Sequence, residues 1–391
     1  MDFTPNPGGQ LAPEQILGRD PLIAQMWSIL EGRSIYMNDL RRIGKTQIMV
    51  KMHEQPQPHW LTVKCDLGGT HTAAEFATLA YKNSLVALGK KKRVLRSMQE
   101  LLGKAQGIQI GPIKLPDGST APWKEVLSRT FADIEEAMTE LGPRQRMVFF
   151  WDEVPYLLDN IAKREGPSTA MEVLDTPRAL GQDHNRIRLL LTGSIGIHHV
   201  LSSLKNEGYN GSPLNRMELV QPGPLDQADS LALATALLLG SGTSCDDPAV
   251  CALAIAQGAG HVPFYIHKLI SRLPKSKNAT PESIAATLDH EITSDNNDWD
   301  LQHYRDRLKA YYGEQERLAL CVLDAVAIEG SLTFQALRQQ INAQMPTDDE
   351  QLRGLLKLLC MDHYLTRTPD NAYCFYLDLI CRWWRLSRSL S

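Results

Sequence analysis

Five consecutive apolar residues, Met147-Val148-Phe149-Phe150-Trp151, run directly into two acids, Asp152 and Glu153. A strand with one wet face alternates apolar and polar side chains. An unbroken apolar run of this length is buried on both faces, the habit of central strands in parallel sheets. Ile187-Arg188-Leu189-Leu190-Leu191-Thr192 has a similar character, and Ser34 to Met37 and Leu61 to Cys65 read as further short strands. Between them the apolar residues recur at helical spacing: Leu22, Ile23, Met26, Trp27 and Leu30, then Ile48, Met49 and Met52, then the stretches 73–88 and 123–141. Strands alternating with helices predict an α/β fold with a parallel sheet.

The pattern changes along the chain. Residues 89–121 open on the basic run Lys90-Lys91-Lys92-Arg93 and alternate through Ile108, Ile110, Ile113 and Leu115 to the turn residues Pro116-Asp117-Gly118, which reads as a hairpin insertion. After Pro222 the pattern is helical to a polar break at 295–298. The tail is three helices and an alternating stretch, Tyr364 to Phe375, with Pro369-Asp370-Asn371 as its turn, the order of a winged helix. These shifts divide 391 residues into an α/β core at 1–221 carrying the insertion, a helical lid at 222–295 and a winged-helix domain at 296–391.

The formal net charge of −4 excludes general nucleic-acid affinity, so DNA contact needs a local patch. Seven cysteines without a C-x-x-C pair indicate reduced thiols and a cytoplasmic protein. The polar N-terminus lacks a signal-peptide pattern, and no apolar stretch approaches the roughly 20 residues of a membrane span.

The chemistry concentrates in three places. Gly44-Lys45-Thr46 lies between a strand and a helix, where G-x-x-x-x-G-K-[ST] cradles a phosphate. Gly44 lets the backbone approach, the helix N-terminus and loop N–H groups receive the anion, Lys45 reaches the β- and γ-phosphates, and the Thr46 hydroxyl ligates Mg²⁺. Asp39 stands at the first glycine position, where a carboxylate opposes phosphate unless it points away. Asp152 and Glu153, at the end of their strand, match a Mg²⁺ ligand and a general base for the attacking water. Thr192 and Ser194 end a third strand, where a hydroxyl could sense the γ-phosphate.

Together these residues resemble the prokaryotic AAA+-like P-loop ATPases related to the archaeal ATPases and STAND NTPases. Ile16-Leu17-Gly18-Arg19 looks like that family's N-terminal G-R motif near the adenine. Arg41-Arg42-Ile43-Gly44-Lys45-Thr46 is similar to its R-R-x-G-K-T loop, Asp152-Glu153-Val154-Pro155 to its D-E-x-P element, and Leu191 to Gly196 to its T-G-S sensor strand. Gly260 to Tyr265, with Pro263, resembles its lid segment, and Phe375 with Arg382-Trp383-Trp384 its C-terminal ending. The resemblance implies ATP and Mg²⁺ as ligands, with Gly18, Arg19, Arg41, Arg42, Ile43, Gly44, Lys45, Thr46, Gln47 and Pro263 around the nucleotide. It also implies slow, switch-like hydrolysis, with Asp39 as a departure that weighs on the rate.

Three functional readings follow from the sequence: an ATP-driven switch acting on an effector protein or DNA, a nucleotide-binding scaffold with little hydrolysis, and a DNA-binding regulator with a vestigial loop. DNA contact would fall to the winged helix (Arg353, Lys357, Arg367) and the basic segment 90–104, although Asp348, Asp349 and Glu350 on the reading helix repel it. Arg178, Arg186 and Arg188 are candidates for an arginine finger in an oligomer. His198-His199 lacks the neighbours of a metal site, and Trp383-Trp384 reads as a packing clasp.

Overall fold

A computed structural model describes residues 3–89, 123–193, 196–211, 213–275, 278–294 and 296–390. The expected insertion hairpin and the basic segment, from residue 90 on, lie outside these residues, as does Ser194. The chain forms two compact units. One comprises Asp20–Asn38 and Lys45–Pro222; the other comprises Met1–Arg19, Asp39–Gly44 and Gly223–Ser391.

The first unit is the expected α/β body. Its elements are α1 (Asp20–Leu30), β1 (Ser34–Met37), α2 (Lys45–Glu54), β2 (Trp60–Asp66), α3 (Ala73–Ala87), α4 (Trp123–Leu141), β3 (Arg146–Asp152), α5 (Val154–Glu165), α6 (Pro167–Asp183), β4 (Ile187–Thr192), α7 (Ile197–Asn206) and β5 (Met217–Val220). The five strands pair in parallel in the order β2-β3-β4-β1-β5. The apolar run of β3 is buried on both faces, as its composition requires. Phe149 and Trp151 pack with Phe76, Phe131 and Leu157 on one side, while Val148 and Phe150 pack with Trp27, Ile48 and Met52 on the other. Helix α4 buries Val126, Leu127, Phe131, Ile134 and Met138, a stripe at helical spacing.

The second unit is largely helical. Its elements are α8 (Gln227–Ser241), α9 (Pro248–Gly258), α10 (Pro263–Arg272), α11 (Pro281–Ile292), α12 (Gln302–Tyr311), α13 (Glu316–Glu329), β6 (Ser331–Thr333), α14 (Phe334–Gln344), α15 (Asp349–Met361), β7 (Leu365–Arg367), β8 (Ala372–Phe375) and α16 (Asp378–Ser387). β6, β8 and β7 form an antiparallel sheet in that order. Asp247 and Asp348 accept from backbone N–H groups of the first turns of α9 and α15, which fixes where those helices begin. The two tryptophans of α16 are buried, and Trp384 Nε1 donates to Asp324 Oδ1 of α13 at 2.8 Å. No described helix is long and apolar enough to cross a membrane.

Candidate functional site

In a parallel sheet, residues at one register level and one parity project to the same face. Asp66 pairs with Asp152, and Trp151 with Leu191, so Asp66, Asp152 and Thr192 stand level at the C-terminal ends of β2, β3 and β4. They share the face of Phe150 and Leu190, which α2 covers through Ile48, Met49 and Met52. The C-terminal edge of a parallel sheet is where such folds bind ligands.

Helix α2 begins at Lys45 and places Thr46 in its first turn. The Thr46 hydroxyl donates to Asp152 Oδ2 at 2.7 Å, joining two residues 106 positions apart. Asp152 Oδ1 accepts the Glu153 backbone N–H at 3.0 Å. Asp152 is 7 % exposed and Lys45 is equally buried. Burial pushes the Asp152 carboxyl above the usual carboxylate range; the Thr46 hydrogen bond pulls back, and the charges of Glu153 and Asp66 push further up. Glu153 itself has φ +61, a left-handed backbone outside glycine, and opens α5. Strain of this kind persists where the surroundings over-determine it, and it collects at functional positions. Thr192 is fully buried, and its hydroxyl has no hydrogen-bond partner among the described residues. Asp66 belongs to this group and went unnoticed in the sequence. Its signal was there: a strand ending in an acid, like β3.

The loop that leads to Lys45 belongs to the helical unit. Gly44 has φ +102, a conformation only glycine adopts readily. Asp39 is buried, accepting from Leu40 N and from Gly223 N, each at 2.6 Å. Its carboxylate therefore braces its own loop, and the Leu40 N–H is committed to it. Arg19 is buried as well and donates to the carbonyls of Ile43 at 3.1 Å and Gly223 at 2.8 Å. Gly18, with φ +70, precedes it; a Cβ there would lie 2.7 Å from Asp229 Cβ, so nothing larger fits. Arg41 and Arg42 both pair with Asp300 Oδ2, at 2.6 and 2.9 Å. Pro263 is the first residue of α10.

Of the other arginines, Arg178 pairs with Asp175. Arg186 donates to Gly142 O at 2.9 Å, and Arg188 to Leu30 O at 3.1 Å. The last two sit at the N-terminal end of β4, the end opposite Thr192, and serve backbone carbonyls there.

Neither a family model nor a curated protein matches the sequence. Solved structures do match in fold. The Walker-type ATPase of Pyrococcus abyssi superposes with a TM-score of 0.65 at 17% identity, covering 98% of this chain and 100% of that one. The ORC2 protein of Aeropyrum pernix, in its ADPNP-ADP complexes, superposes with a TM-score of 0.51 at 11% identity, covering 98% of this chain and 95% of that one. The chain thus has the fold of an archaeal Walker-type P-loop ATPase, an α/β core with a parallel sheet.

Proposed function

We propose that this chain binds ATP at Gly44-Lys45-Thr46 and hydrolyses it with the acids at the end of β3, as a switch of the AAA+/STAND type. The observation that carries the reading is the 2.7 Å contact between the Thr46 hydroxyl and the Asp152 carboxylate. A helix-start hydroxyl and a buried acid have no structural need of each other across 106 residues; a shared Mg²⁺ gives them one. Both offer hard oxygen donors, the ligand type this ion takes, so the residues fit it. Bound Mg²⁺ would supply positive charge to the β- and γ-phosphate oxygens.

The chain's own residues do the rest. Lys45 and the first N–H groups of α2 hold the phosphates. Glu153 orients a water and takes its proton as the water oxygen bonds to the γ-phosphorus; the bond to the β–γ bridging oxygen breaks and ADP leaves. Thr192 supplies a hydroxyl from β4, and Ser194 two residues on is the second candidate for that role. Gly18, Arg19 and Pro263 line the base end, with Arg41, Arg42, Ile43 and Gln47 flanking the phosphates. The hydrogen bonds of the Asp39 carboxylate to Leu40 N and Gly223 N support this reading over a non-hydrolysing scaffold, because they give the acid a structural role in its own loop.

The helical stretch 222–295 acts as the lid and 296–391 as a winged helix, and a regulatory protein is the partner. Two of the residues that would read DNA, Arg353 and Arg367, have partners within the module. Arg353 pairs with Glu350 and covers the Phe334 ring, Arg338 pairs with Asp349, and Arg367 donates to the Tyr373 hydroxyl. ATP turnover by the full chain and by Lys45→Ala and Glu153→Gln proteins tests the reading. A fall of about 10²-fold or more is expected for each variant; three equal background rates would remove the ATPase.

A further inference from the structure

The two arginines before Gly44 are held in an unusual way. Both Arg41 Nε and Arg42 Nε approach the same oxygen, Asp300 Oδ2. One negative charge faces two positive ones, so the group is a cation in surplus. The two arginines are not equivalent. Arg42 also lies over the Phe264 ring, 4.5 Å from its centre, and so has a second hold. Arg41 has Asp300 as its one charged partner among the described residues, and its side chain is 37% exposed. The backbone is tense at both ends of the clamp, with φ +68 at Arg42 and φ +56 at Asp300. Residues of this kind are held by their surroundings and relax when those change.

Asp300 is in turn attached to the C-terminal part of the chain. Its carbonyl is hydrogen-bonded by the His303 ring through Nδ1. Burial lowers the His303 pKa to about 4, so the ring is neutral and Nδ1–H is the donor to that carbonyl. On the same helix, α12, the Tyr304 carbonyl accepts the Tyr364 hydroxyl at 2.6 Å. One turn after His303, Arg307 binds Asp362 Oδ1 at 2.9 Å, and Tyr312 donates to Asp362 Oδ2 at 2.7 Å. Polar contacts at both ends of α12, joined through the backbone of that helix, therefore link Arg41 and Arg42 to the residues leading into β7.

We infer that Asp300 is a positioning residue that reads the nucleotide state. It holds Arg41 while the loop carries no triphosphate, gives it up to the γ-phosphate of bound ATP, and passes the loss of that ion pair to α12. This rests on the ATP reading above. The arginine that leaves is Arg41, because Arg42 stays on Phe264. ADP lacks the γ-phosphate and leaves the clamp closed.

The test is titration calorimetry of the full chain with ADPNP and with ADP, for the unaltered protein, Asp300→Asn, Arg41→Gln, the double variant and Lys45→Ala. Hydrogen exchange over 300–312 is followed alongside. Asp300→Asn should tighten ADPNP binding about fivefold, the upper range for an exposed ion pair, and ADP binding far less. Arg41→Gln should weaken ADPNP binding by a similar factor, and the tightening should vanish in the double variant. ADPNP should speed exchange at 300–303 in the unaltered protein, and Asp300→Asn should show that speed without nucleotide. An unchanged ADPNP affinity in Asp300→Asn, or a tightening that survives in the double variant, overturns the inference. If Asp300→Asn fails to fold, Arg41→Gln decides alone: equal ADPNP and ADP losses, or none, overturn it. Should the unaltered chain bind no more ADPNP than Lys45→Ala, the nucleotide reading itself falls; should only Lys45→Ala lose binding, the latch alone falls.

Discussion

Asp152 and Asp362 are both buried carboxylates, 7 % and 2 % exposed, and the chain satisfies them differently. Asp362 has a cation on one oxygen, Arg307, and a hydroxyl on the other, Tyr312. The pairing works in both directions. Burial pulls the Arg307 guanidinium down, and Asp362 with the neighbouring tyrosines more than offsets it, so its pKa lies above arginine's ordinary value. Asp152 has a hydroxyl and a backbone N–H, no cation among the described residues, and two further acids nearby. A buried charge with its counter-charge built in serves the architecture. One left short of a counter-charge is held at the expense of stability and is a place for a ligand to supply it.

The largest effect that comparison predicts is at Arg307. Arg307→Met takes the guanidinium away from Asp362 Oδ1 in a buried pair, which costs about 3–5 kcal/mol. Chemical denaturation followed by far-UV circular dichroism should show the helical unit unfolding at much lower denaturant. A small shift would mean that Asp362 is as loosely compensated as Asp152, and the contrast would be lost.

At Asp152 the sign reverses. Asp152→Asn keeps the Thr46 contact, since the hydroxyl can turn to accept from the new amide, and it removes a carboxylate whose folded pKa is raised. A raised folded pKa means the folded state binds the proton more tightly than the unfolded chain. Stability is then lost as pH rises from the ordinary carboxylate pKa of about 3.9 through the folded value. The variant escapes that loss. It should be more stable than the unaltered protein at pH 7, by about 1 kcal/mol, with ATP turnover abolished. The stability gap should close as pH falls toward about 4. Thermal melts at pH 7 and pH 4 check this; a variant less stable at pH 7 would show that Asp152 has a compensation its geometry does not reveal.

The two regions were unequally visible in the sequence. Elements of the α/β body were legible because local composition decides them: β1, β4 and α4 span the residues their apolar patterns indicate, 34–37, 187–192 and 123–141. The meeting of Thr46 and Asp152 was also legible, since a helix-start hydroxyl and a strand-end acid are each marked by consecutive residues. The clamp was not. Arg42 and Asp300 are 258 positions apart, and nothing near either names the other. The direction of Asp39 was hidden for the same reason: it depends on the backbone of Gly223, 184 residues on. Local chemistry can be read from a motif, whereas partners chosen by tertiary contact cannot.

The smallest effect is at Thr192, and it separates architecture from function most cleanly. Its hydroxyl is fully buried without a partner among the described residues, at the level of Asp152 on the neighbouring strand. A buried hydroxyl left unpaired costs about 1 kcal/mol or more, and Thr192→Val removes it while keeping the side chain's shape. If the hydroxyl serves bound nucleotide, the valine protein should melt slightly higher than the unaltered one and turn over ATP more slowly. Both measurements are needed. A higher melt with unchanged turnover would make Thr192 a packing defect, and a lower melt would mean the hydroxyl has a structural partner after all. Only the combination of gained stability and lost turnover places Thr192 with Asp152, on the side of the comparison where the missing partner is the substrate.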